Sequence, residues 1–278
     1  MNTMNIEEIH DKILVFHNAI ADPAAFEKAL SPGSPEIRQW SNWYHLGEQT
    51  HFVYYPDFKA EVFPTKETWD KHFSAVSGPV AREAAEVFYT CTSEYVRRYS
   101  VSIPNWSHYG PFILTHSAKA MDGTLAMQYH TDFKMAETEN PGYKFWITCL
   151  LYVNDDYEGG EIAFKVFERA DNISENDPFV HLKYKPKAGD MLILPAHHPY
   201  YHGVCKTLTN RKLFLRMFWG YEYDGSPEWR ANELKYGSEV WDKMEQDRLA
   251  EEFKTSKWMM GAVEEKVNLD ASSYRREI

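Results

Sequence analysis

Between positions 112 and 223 the chain alternates short runs of β-branched and aromatic residues with turn residues. The runs are FILTH (112–116), LAMQYH (125–130), FWITCLLYV (145–153), EIAFKVF (161–167), MLILPA (191–196) and KLFLRMFWGY (212–221). Asp122-Gly123, Asn140-Pro141-Gly142, Asn154-Asp155-Asp156, Gly159-Gly160, Ala188-Gly189-Asp190 and Thr209-Asn210 punctuate them. Strands at this spacing predict an antiparallel sandwich or barrel, with a jelly roll as the natural candidate.

The flanks read differently. KILVF (12–16) is a short β-rich run, and Asp22 followed by Pro23 and AAFEKAL is the start signal of a helix that SPGSP (31–35) ends. Val80, Ala84, Val87, Phe88, Cys91 and Tyr95 recur near helical spacing, which predicts a helix over 79–98. Trp40 to Tyr55 is unusually aromatic and is read first as packing between a sheet and a helix, with a lid over a pocket as the other reading. Beyond Ser226-Pro227-Glu228 the texture turns polar and helical. The expectation is one domain: N-terminal supporting helices and strands over 1–111, a jelly-roll core over 112–223, and a C-terminal helical extension over 224–278. The fold class is mainly β (α+β), a distorted double-stranded β-helix of jelly-roll or cupin-like form.

Composition narrows the function. A chain of 278 residues that is 44% hydrophobic can bury a sizeable core. Its net charge of −11, with no basic run, argues against nucleic acid or an anionic membrane as the main partner. The acidic N-terminus has no apolar h-region, no apolar run approaches the ~20 residues of a membrane span, and the three cysteines form no CxxC. These features are read as those of a soluble, cytoplasmic protein whose oligomeric state the sequence leaves open.

His130-Thr131-Asp132, at the end of LAMQYH, is the strongest local chemical feature. Residues separated by one lie on the same side of an extended strand, so both side chains can reach one ion. In a chain with 12 His and 41 acidic residues the triplet alone does not rise above chance. A third donor from a later strand changes that. KAGDMLILPAHHPYYHGV (187–204) offers His197, His198 and His202. His202 is chosen because Gly203-Val204 re-enters the sheet, whereas His197 and His198 lie beside Pro199 in a loop. Two imidazoles and one carboxylate on one face suit Fe(II) and leave positions open for other ligands. Arg211, nine residues after His202, is the expected cation for a carboxylate-bearing cosubstrate, with Lys212 and Arg216 as competitors. Alternation puts Arg211, Leu213, Leu215 and Met217 on one face, and that apolar face with a single charge is taken as the inward one.

Trp146 to Phe164 (WITCLLYVNDDYEGGEIAF) resembles the prolyl 4-hydroxylase branch of the 2-oxoglutarate/Fe(II)-dependent oxygenase superfamily. That branch carries Thr-Cys, then Tyr-x-Asn, then Gly-Gly. With His130-x-Asp132 upstream and His202 and Arg211 downstream, the resemblance spans about a third of the chain, from Leu125 to Trp219. It implies His130, Asp132 and His202 as iron ligands, and Arg211 and Tyr152 at the far carboxylate of 2-oxoglutarate. Thr148 shares the face of Tyr152 and is expected to line the same pocket. Catalysis would rest on His130, Asp132, His202 and Arg211, with 2-oxoglutarate and O2 as cosubstrates, ascorbate as a candidate reductant, and succinate and CO2 as products. Cys149 and Cys205 are read as structural, and Glu158 to Glu161 as a hairpin. The second tyrosine that many family members carry ahead of His-x-Asp is absent from Ser117 to Met121. The implied reaction is hydroxylation of a prolyl or other amino-acid residue in a peptide or protein. A free amino acid or small metabolite is the alternative substrate, and a non-catalytic metal-binding cupin-like protein is the rival from another class.

Overall fold

The structure is a computed structural model, and it describes residues 5–31, 34–36, 43–46, 50–53, 59–73, 78–103, 106–116, 125–133, 143–168, 173–174 and 177–222. The expected C-terminal helical extension and the stretch Ser117 to Met121 lie outside the described residues.

Two antiparallel sheets face each other. The larger contains β1 (Asn5–His10), β2 (Ile13–His17), β11 (Met191–Pro195), β8 (Tyr143–Tyr152), β13 (Lys212–Glu222), β6 (Trp106–His116) and β5 (Lys59–Ala60), hydrogen-bonded in that order. The smaller runs β10 (Phe179–Tyr184), β9 (Ile162–Phe167), β12 (His202–Cys205), β7 (Leu125–His130). From β6 onward the chain alternates between the sheets as large, small, large, small, small, large, small, large. This is the connectivity of the expected double-stranded β-helix. β3 (Trp43–Leu46) and β4 (Thr50–Val53) pair as a hairpin within the aromatic segment.

Helices cover the outer face of the large sheet. α1 (Pro23–Leu30) begins at Asp22, whose carboxylate accepts from the Ala25 N–H at 3.0 Å, and Pro23 fills the first turn, where no N–H is needed. It buries Phe26 and Leu30. After the short α2 (Lys66–Phe73), α3 (Pro79–Tyr99) buries Ala84, Ala85, Phe88, Cys91, Thr92 and Tyr95 and ends at Ser100 in the left-handed conformation, φ 50°. Its apolar stripe meets Cys149, Leu151, Ile193, Leu215, Met217 and Trp219 in one cluster. The opposite face of the same strands meets the small sheet. There Val15, Leu150, Tyr152, Leu192, Leu194 and Phe214 pack on Ile162 and Phe164.

The β-rich run 12–16 becomes β2, an interior strand of the large sheet paired with β1 and β11. A part-buried polar link ties it down. His17 Nδ1 lies 3.0 Å from Asp190 Oδ1 and its Nε2 lies 2.9 Å from Glu7 Oε2, while Tyr184 donates to the other Asp190 oxygen. Gly159-Gly160 does not close a hairpin. β8 and β9 belong to different sheets, so this turn carries the chain from one to the other. Gly160 has φ +69°, and a Cβ there would stand 2.8 Å from the Tyr157 ring. Among the described residues no helix is long and apolar enough to cross a membrane.

Candidate active site

The two sheets bring three predicted ligands together. β7 and β12 pair so that His202 lies directly opposite His130, and their ring centroids are 4.5 Å apart. Gly203 permits this approach, since a Cβ there would come within 2.8 Å of the Met127 carbonyl oxygen. Asp132 sits just past the end of β7, where the Phe133 N–H donates to the Ala196 carbonyl at 2.8 Å. One donor atom from each of His130, Asp132 and His202 lies within 4.8 Å of the others, and all three residues are buried. Asp132 Oδ1 is 3.5 Å from His130 Nε2, and Oδ2 is 3.2 Å from His202 Nε2. His197 and His198 stay out of this group. His197 packs on Trp146 with centroids 4.6 Å apart, and His198 Nδ1 meets the Tyr201 hydroxyl at 3.1 Å.

The donor set fits a divalent iron. His130 Nδ1 sits 2.8 Å from the Gln128 carbonyl, which leaves Nε2 as the ring nitrogen on the Asp132 side. His202 Nδ1 is buried and meets no hydrogen-bond partner among the described residues. Burial pushes the Asp132 carboxyl up, but His202 and His130 outweigh it and hold the pKa well below the usual carboxylate range. An anionic carboxylate between two imidazoles is what a hard-to-borderline cation with two nitrogen ligands requires.

The second predicted cluster is only partly as expected. Tyr152 is buried on the inner face, and its hydroxyl pKa is raised well above the usual value by burial and by Tyr157. Arg211 is not there. It precedes β13, is exposed, and lines a separate surface cavity of about 190 Å³ with Glu27, Asp156 and Asn210. The inward cation at this end of β13 is Lys212, which is 1% exposed. Its Nζ donates to the Gly160 carbonyl at 2.6 Å and stands 4.9 Å from the centre of the Tyr152 ring. The error lay in which face points inward. Leu213, Leu215, Met217 and Trp219 form the apolar face, but that face is covered by α3. Lys212, Phe214, Arg216 and Phe218 alternate with them and share the opposite side of the strand. In a sheet covered by helices outside and holding a polar site inside, the apolar face is the outer one.

Two hydroxyls near Lys212 escaped the sequence reading. Tyr157 Oη and Thr207 Oγ1 are buried and meet no hydrogen-bond partner among the described residues. Both border Gly160, the residue whose carbonyl receives the Lys212 ammonium: its Cβ would be 2.8 Å from the Tyr157 ring and 3.3 Å from Thr207 Oγ1. Burial, reinforced by Lys185, pulls the Lys212 pKa down to about 7. A buried ammonium is suited to a carboxylate. The only hint in the sequence was the second cation in Arg211-Lys212.

Thr148 shares the inner face as expected, but its hydroxyl is spoken for. It donates to Asp132 Oδ2 at 2.7 Å. Cys149 points the other way, into the cluster beneath α3, as expected of a small hydrophobe.

Residues 117–220 match the family model described as the 2OG-Fe(II) oxygenase superfamily. That segment is similar to the 2OG-Fe(II) oxygenases. The matched segment contains His130, Asp132, His202 and Lys212 and starts ahead of β7. No curated protein matches the sequence. Among solved structures it is similar to a Pseudomonas putida prolyl-4-hydroxylase, at 11% identity over 76% of this chain and 93% of that one, TM-score 0.40. It is also similar to the viral collagen prolyl hydroxylase of Paramecium Bursaria Chlorella virus-1, at 14% identity over 80% and 96%, TM-score 0.42. A prolyl 4-hydroxylase from Phytophthora capsici aligns at 13% identity over 95% and 85%, TM-score 0.45.

Proposed function

We propose that the protein hydroxylates an unactivated C–H bond of a prolyl or other amino-acid residue in a peptide, consuming 2-oxoglutarate and O2 and releasing succinate and CO2. The observation that carries this reading is a buried His130–Asp132–His202 group on the small-sheet side together with a buried Lys212 on β13 of the large sheet. His130, Asp132 and His202 would hold iron, which when bound supplies the activation of O2 that oxidises the C–H bond. Lys212 and Tyr152, with the hydroxyls of Tyr157 and Thr207 beside them, would receive the far carboxylate of 2-oxoglutarate and fix its orientation toward the iron. A metal-storing cupin has no use for this second, anion-seeking cluster. Because the third ligand is a carboxylate, no coordination position is freed for a halide, which favours hydroxylation.

A cleft of about 530 Å³ opens against β9 and the loop before β12. Phe164, Lys165, Phe167, His197, Tyr200 and Tyr201 are among its walls, and Phe164 is the direct strand partner of His202. Its aromatic walls suit the residues that flank a target side chain in a peptide. Ascorbate would serve only to return iron to the ferrous state.

The test is to incubate iron-loaded protein with 2-oxoglutarate, O2 and proline-containing peptides, following succinate and peptide mass. The expected result is succinate formation stimulated by peptide, with the peptide gaining one oxygen atom. Stimulation by free L-proline and not by any peptide would replace this reading with that of a small-molecule hydroxylase.

A further inference from the structure

The Thr148 hydroxyl lies where it touches the reaction centre without being a ligand to it. Thr148 is fully buried on β8, in the large sheet, whereas His130 and His202 come from the small one. Asp132 lies just past β7 where a helical segment opens, outside any strand ladder, so ladder hydrogen bonds do not fix its side chain. Its backbone neighbour is pinned by the Phe133 N–H to the Ala196 carbonyl. Its carboxylate is reached from the opposite sheet by Thr148 Oγ1, which donates to Oδ2 at 2.7 Å. That same Oδ2 is the oxygen nearest His202 Nε2, while Oδ1 faces His130 Nε2.

We infer that Thr148 is a positioning residue for the metal-binding carboxylate, fixing the rotation of Asp132 by a hydrogen bond across the two sheets. The inference rests on the iron reading of the triad. An aspartate carboxylate has a soft terminal torsion, and its two oxygens are interchangeable unless something distinguishes them. A single hydroxyl proton on Oδ2 makes that distinction and draws charge from one oxygen only. Hydrogen-bonding partners of metal ligands act in this way, and their loss commonly costs about 10–100-fold in metal affinity. β8 is well suited to the task. Its neighbours β11 and β13 hold it on both sides, with Leu194 and Phe218 as the direct partners of Thr148.

The experiment compares wild type, Thr148→Val, Thr148→Ser and Thr148→Ala by Co(II) titration in the absence of 2-oxoglutarate. It reads both the dissociation constant and the visible d–d bands, with thermal unfolding of each metal-free protein alongside. Valine keeps the shape and removes the hydroxyl; alanine removes it with less bulk, should valine not fold. The expected result is Co(II) affinity about 10–100-fold weaker in the valine and alanine variants with altered d–d bands, and near-native affinity in the serine variant. A merely structural threonine would shift the unfolding midpoint and leave the Co(II) constant and bands of folded protein unchanged. Wild-type Co(II) binding in the valine or alanine variant, or failure of serine to restore it, would overturn the inference alone. Absence of Co(II) binding by the unaltered protein would overturn the iron reading and this inference together.

Discussion

If Lys212 receives the far carboxylate as proposed, its state makes 2-oxoglutarate binding a proton-linked event. Burial, with Lys185 adding to it, brings its pKa from 10.5 down to about 7, so near neutrality about half the protein holds a neutral amine at this position. A bound carboxylate restores the ammonium, because an ion pair favours the charged form by more than the burial disfavours it. Binding should therefore take up ~0.1 proton at pH 6, ~0.5 at pH 7 and ~0.9 at pH 8, and the affinity should fall roughly fivefold between pH 7 and 8. Anaerobic calorimetry with Fe(II) protein in buffers of different ionisation enthalpy reads the proton number directly from the slope of heat against that enthalpy. Lys212→Arg supplies the control: arginine stays charged, so any proton released or taken up at the metal remains while the lysine contribution vanishes. The same slope for wild type and Lys212→Arg at pH 8 would refute the reasoning. Either Lys212 is charged before the cosubstrate arrives, or it does not meet the carboxylate.

Three further outcomes are expected. Lys212→Ala should weaken 2-oxoglutarate by about 2–5 kcal/mol, the cost of leaving a buried carboxylate without its cation, whereas exposed Arg211→Ala should change it by less than about 0.5 kcal/mol; titration by calorimetry distinguishes them. His130→Ala and His202→Ala should abolish stoichiometric Fe(II) binding measured by equilibrium dialysis, and His197→Ala and His198→Ala should retain it. At His17, burial works against the charged ring, but Glu7 and Asp190 outweigh it and the pKa is raised above 6.5. The stability this gives is fully present below pH 6.5 and is lost as pH rises through the folded-state value, so the urea midpoint should decline across that window in wild type and not in His17→Gln.

Sequence pattern reached far where chemistry and strand period coincide. His130 and Asp132 fall two apart on an extended segment, and His202 begins a strand that Gly203 lets lie tight against β7, so order and spacing alone picked the three donors. The inner face of Tyr152 was legible from strand parity, and the helix at Asp22-Pro23 through its cap. Arg211 failed because strand parity defines two faces without saying which is inside. That choice was settled by α3 covering Leu213, Leu215 and Met217, a tertiary fact. Gly159-Gly160 reads as a hairpin locally, and only the pairing of β8 with β11 and β13, and of β9 with β10 and β12, shows it to be a sheet crossing. The partnership of His17 with Asp190 spans 173 positions and has no local signal at all. Thr148 illustrates the finer limit: its face was predictable, but the partner of its hydroxyl depended on the segment just past β7 of the opposite sheet.

The most direct measurement is anaerobic titration of Fe(II)-loaded protein with 2-oxoglutarate, followed by the weak visible metal-to-ligand charge-transfer absorption. The account predicts a saturable band at one equivalent, absent in Asp132→Ala and requiring more 2-oxoglutarate in Lys212→Ala. A folded, iron-loaded protein that develops no such band would contradict it.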